Sequence, residues 1–225
     1  MRQKLYICVL IYGMRKLTLA EIEAVQRLGT TAEDWSKILV TEDFSPEQLQ
    51  QSRLGGVIEL GSGARIIRSY VANYRIGART VVEQITALQC RESSTFGGGV
   101  EVATMNECEG RKVKICDRMS AQVAYMMALY RHRPRLIEAL EQMVKKEAER
   151  NRSTMGQVGE ECTISGARFI REVRIGNRVT IDGSSALVNG TILDDVAIGV
   201  DVKAYDFIIV EGARIANGAT IERCF

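Results

Sequence analysis

From Val158 onward, apolar residues recur at a fixed interval. Val158, Ile175, Ile192 and Ile209 lie seventeen residues apart, and so do Ile164, Ile181, Ile198 and Ile215. A third series runs through Ile170, Leu187, Ala204 and Ile221. The chain is 46% hydrophobic, so twelve such matches have a chance of roughly one in ten thousand. This is a repeat. Its internal spacings are six, six and five, whereas a helix needs apolar positions three and four apart and a coiled coil needs heptads. Six-residue steps predict short strands separated by tight turns, each recurring Ile, Val or Leu pointing inward onto its equivalent in the next repeat.

Such steps belong to the hexapeptide class of β-helix solenoids, in which three hexads close one triangular coil. Glycine, asparagine and aspartate in "IGNRV", "IDGSS", "IGVDV" and "IANGA" provide the corners, where a positive φ is needed. The same signature occurs earlier and more weakly, as Leu60 and Ile66, then Ile76, Val82 and Leu88. "TFGGGVEVATMNECEGRKVKICD" reads as its continuation, with strands around Val100–Val102 and Val113–Ile115. Its triple glycine precedes a strand and not a helix, so it reads as a corner, not a phosphate loop.

Two stretches are helical instead. Thr18–Glu21 is a capping box, with Ile22, Val25 and Leu28 on one face, and Ser45-Pro46 marks a second short helix start. Trp35 is expected to pack this segment on the part of the chain after it. Between the repeat blocks, Ser120 caps a helix with Val123, Met126 or Met127, and Tyr130 on one face. Arg133-Pro134 breaks it, and Pro134 opens a second helix bearing Ile137, Leu140 and Val144. The expected order is an N-terminal extension over 1–13 and a helical segment over 14–53. Next come a first β-helix block over 54–117, a helical hairpin over 118–152 and a second block over 153–225.

Composition narrows the function classes. A net charge of +2 is too balanced for a nucleic-acid surface. The apolar run Leu5–Tyr12 is too short to span a bilayer, and no cleavage site comes after it. It reads as an extra strand or, in preference, as an extension before a start at Met14. Six scattered cysteines without a CxxC pair, and a single histidine, do not support a zinc site and read as reduced thiols of a cytoplasmic protein.

"IGNRVTI" and "IGVDVKA" resemble the trimeric LpxA-like hexapeptide-repeat transferase superfamily. The resemblance implies a left-handed parallel β-helix and a homotrimer, with acyl or nucleotidyl transfer to a sugar-type acceptor and acyl-CoA or a nucleotide sugar as co-substrate. Together with "SAQVAYMMALYRHRP", the arrangement over roughly 14–225 looks like a bacterial domain-of-unknown-function family with a helical hairpin inserted in the β-helix. Members of that family continue beyond the equivalent of "RCF", which implies that this chain is cut short there.

Candidate chemistry gathers at the hairpin turn. Arg131, Arg133 and Arg135 flank the second helix start and would bind an anionic substrate. His132 beside them is the candidate general base. As plain structure, the same residues complement the carbonyl end of the first helix. Asp194-Asp195 read as corner residues, and Asn106-Glu107 with Arg111 as a solvated loop cluster. The function expected is that of a hexapeptide-repeat transferase, and the alternative is a non-catalytic β-helix scaffold or oligomerisation module.

Overall fold

The computed structural model describes residues 13–103 and 111–225. The protein is mainly β. In each repeat of the second block, two consecutive segments run as one long strand: Phe169–Ile175, Ala186–Ile192 and Lys203–Ile209. Each bends at its middle through a residue of positive φ, Glu172, Asn189 or Asp206. A third, shorter segment comes next, as in Thr163–Ser165, Thr180–Asp182, Ala197–Ile198 and Arg214–Ile215. Each segment pairs in parallel with its equivalent seventeen residues on. Ile170 aligns with Leu187, Ala204 and Ile221, Val158 with Ile175, Ile192 and Ile209, and Ile164 with Ile181, Ile198 and Ile215.

The long strands form an eleven-stranded sheet and the short ones a seven-stranded parallel sheet. The larger sheet is mixed, because Met14–Lys16 pairs antiparallel with Ile38–Thr41. The ladder residues fill one core, with Ile215 and Ile221 only partly buried in the last repeat. The earlier block joins the same stack: Ile76 aligns with Val158, Val82 with Ile164 and Leu88 with Ile170.

One interior column was not visible in the spacing. It runs Tyr74, Gly156, Val173, Gly190 and Phe207. A Cβ on Gly156 would sit 2.2 Å from the Tyr74 ring, and one on Gly190 would sit 2.4 Å from the Phe207 ring. Large rings thus occupy the volume the glycines leave, which keeps the core at packing density. The Tyr74 hydroxyl donates to the Val173 carbonyl at 2.7 Å and accepts from the Val173 amide at 3.2 Å, so the buried phenol is satisfied.

Over 14–53 there is one α-helix, α1 (Leu19–Arg27), whose capping box forms as expected. Val25 is buried, but Leu28 is exposed. The Ser45-Pro46 signal starts only a 3-10 turn, Pro46–Gln48, because strand Leu49–Gln50 begins at once. Trp35 packs on the main core.

Residues 96–103 and 111–117 do not continue the parallel ladders. Glu101–Ala103 and Lys112–Lys114 form a separate antiparallel pair. They belong to an excursion that leaves one layer of the stack and returns to it. That layer is made of two pieces, Ala87–Gln89 and Gly156–Val158, both paired with Tyr70–Ile76. Gln89 aligns with Ala72 and Gly156 with Tyr74, so Asn73 alone spans what takes residues 90–155 in the next layer. Ser94 and Ser153 exchange backbone hydrogen bonds of 2.9 and 3.0 Å at the neck.

The triple glycine lies just inside that neck, not at a corner of the repeat. Gly97, at φ +82, approaches the Phe207 and Asn189 carbonyls too closely for any Cβ, while Phe96 enters the main core. Beyond it come α2 (Ala121–Leu129), capped by Ser120, and α3 (Pro134–Asn151). With the antiparallel pair they enclose a second core around Val113, Met127 and Val144, which also takes in Ile208 from the outer side of its long strand. Arg174 donates to Asp117 at 2.7 Å and to Asn151 at 3.0 Å, tying both ends of the helical pair to the repeat.

Candidate functional site

The turn between α2 and α3 is built by its own backbone. Tyr130 ends α2, the Arg133 amide donates to the Tyr130 carbonyl at 2.8 Å, and Pro134 takes the first position of α3. Proline fits there because that amide has no intrahelical partner. Arg131, His132, Arg133 and Arg135 are all exposed. The turn does not bring them to one point. The Arg131 guanidinium donates to the Lys112 carbonyl at 2.6 Å, whereas the His132 ring stacks on Tyr130 with centroids 5.8 Å apart.

Only Arg133 of the four lines the groove that opens beside the turn. The groove measures about 520 Å³, and its walls are Ala121, Gln122, Tyr125, Met126, Tyr130, Arg133 and Leu136. Tyr125 and Tyr130 meet edge to face at 6.2 Å and are 57% and 36% exposed. Among the described residues, Arg131, Arg133 and Arg135 have no carboxylate partner, and the first turn of α3 has no acid. Cations at the amino end of α3 are electrostatically unfavourable, whereas Arg131 and Arg133 also follow the carbonyl end of α2, which favours them. A second groove of about 410 Å³ lies between α3 and Gly98-Gly99. Its charges are partly self-neutralised, as Arg152 pairs with Glu149 at 2.7 Å.

The other candidates hold the repeat together. Asp194 accepts from the Asn177 amide at 2.8 Å, and Arg178 pairs with Asp195 at 2.6 Å. Asn106-Glu107 lie outside the described residues, and Arg111 is exposed. Cys90, Cys116, Cys162 and Cys224 are free, and burial pushes the Cys90 thiol up to about 11, which keeps it protonated and unreactive. Among the described residues no group of three His, Cys, Asp or Glu is placed to hold a metal ion, and no helix is long and apolar enough to cross a membrane. Sequence reasoning missed Tyr125 and placed Tyr130 on the packed face. The five-residue separation of the two tyrosines carries no periodic signal, and their contact depends on how α2 ends.

Residues 63–225 match the family described as domain of unknown function DUF4954. The chain belongs to that family. The DUF4954 match contains the splice point, the insert with its groove, and the whole second block. It starts later than the resemblance over roughly 14–225. An uncharacterized protein of Treponema pallidum (strain Nichols) is 22% identical over 246 residues, covering 89% of this chain and 34% of the relative. The chain therefore spans about a third of the length of that relative. No solved structure matches the chain.

Proposed function

We propose that this DUF4954 chain is a left-handed hexapeptide-repeat β-helix that acts as a scaffold, displaying the α2–α3 insert on its outer side. The seventeen-residue register, the corner residues of positive φ, the seven-stranded parallel sheet and the parallel ladders of the larger mixed sheet support the β-helix reading. The observation that carries the scaffold reading is the splice. The insert replaces one residue of a long strand and leaves the register on either side unchanged. A platform that accepts an excursion without disturbing its ladders is suited to presenting it. Sheet faces outside the core can serve self-association, and we propose a homotrimer.

A second reading, acyl or nucleotidyl transfer to a sugar-type acceptor, is favoured by His132, which stacks on a tyrosine of the groove. There it would serve as general base for an acceptor hydroxyl, with Arg131, Arg133 and Arg135 as the anion-binding groups. Light scattering at micromolar concentration, combined with transfer assays using acyl-CoA or nucleotide sugars and phosphosugar acceptors, separates the readings. A trimer without turnover is the expected result. A monomeric mass removes the trimer. Turnover that falls at least a hundredfold in His132→Ala replaces the scaffold with the transferase.

A further inference from the structure

The insert groove combines three properties that together suit a ligand. Its floor is aromatic and uncovered: Tyr125 and Tyr130 expose their rings, and His132 extends the row of rings by stacking on Tyr130. Its rim carries one cation, because Arg133 lines it and has no carboxylate partner among the described residues. Its volume of about 520 Å³ falls within the roughly 300–1,000 Å³ typical of small-molecule sites.

Each property selects a part of the ligand. An exposed tyrosine at the groove wall favours a planar ring, since base–aromatic stacking tolerates different bases. An unpaired guanidinium at the edge favours phosphate oxygens, which it contacts through paired N–H groups. Gln122, on the same wall, adds an amide able to donate to and accept from a ring edge.

We propose that the α2–α3 groove binds a nucleoside phosphate, its base stacked on Tyr125 and its phosphate at Arg133. The proposal builds on the scaffold reading by naming what the displayed insert holds, and it requires no chemical step.

The test is calorimetric titration of the full chain at low salt with ADP, with adenosine and inorganic phosphate as separate arms. ADP is expected to bind at least tenfold more tightly than either fragment. Tyr125→Ala and Arg133→Gln, both at exposed positions, should each weaken ADP binding at least tenfold with an unchanged far-ultraviolet circular dichroism spectrum. Absence of ADP binding overturns the proposal, and so does binding that both variants leave intact. Phosphate binding as tightly as ADP overturns the stacking part and reduces the site to an anion contact. Solution mass and turnover are unaffected by any of these outcomes, so the scaffold reading stands or falls separately.

Discussion

At the scale of single residues, the interior column Tyr74–Gly156–Val173–Gly190–Phe207 shows how neighbouring layers share volume. A ring in one layer occupies the space where the next layer has no side chain. Gly190→Ala would place a methyl group 2.4 Å from the Phe207 ring, and overpacking of this kind costs roughly 1–3 kcal/mol. Phe207→Leu alone should also destabilise, by leaving a void. In the double variant the leucine has room to move aside, so its loss of stability should be at least about 1 kcal/mol smaller than the sum of the two single losses. Urea denaturation of the four proteins checks this. Strict additivity would mean that the ring and the glycine do not share the space.

At the scale of elements, α1 is held by a capping box that also carries an ion pair. The Glu21 carboxylate accepts from the Thr18 amide at 2.8 Å and pairs with Arg15 at 2.7 Å. The Arg15 guanidinium, and after it the Thr18 bonds, hold the Glu21 carboxyl below its ordinary 4.5, at about 2. A depressed carboxyl stabilises the fold fully above pH 4.5, and the contribution is lost as pH falls toward about 2. Glu21→Gln keeps the box and loses the charge. Its melting temperature, followed by Trp35 fluorescence, should lie about 2–4 °C below the parent at pH 7, with the gap closing as pH approaches 2. A gap independent of pH would assign the effect to the cap alone.

Elements were legible in the sequence where one residue type had a single physical role. The ladder from Val158 to Ile209, the box at Thr18 and the cap at Ser120 all formed where spacing and residue type placed them. The glycines were ambiguous. Gly97 and Gly190 look alike along the chain, yet one lies against backbone carbonyls inside the insert's neck and the other under a ring. Residues 96–103 and 111–117 have the alternation of strands, and alternation carries no information about which strand is the neighbour. At the site, the turn itself was legible from Pro134. The groove was not, because it arises from two tyrosines meeting across the end of α2.

At the scale of the whole molecule, the stack and its insert have separate cores joined at few points. Removing residues 91–155, so that Cys90 alone links Gln89 to Gly156, should leave a folded stack with a parallel-β spectrum and a cooperative melt. Loss of Phe96 from the main core should lower its stability by about 3–5 kcal/mol. A variant that no longer melts cooperatively would make the insert part of the fold's foundation instead of its cargo. The split layer also has a temporal side. Sixty-six residues separate Gln89 from Gly156, and at about 5–20 residues per second their synthesis takes roughly 3–13 s. Throughout that interval the nascent chain has half a layer in place, and the Tyr74 hydroxyl has yet to meet the Val173 backbone that will satisfy it. Birth on the ribosome thus includes a pause in which the growing end of the stack is open, and the insert is made while it waits.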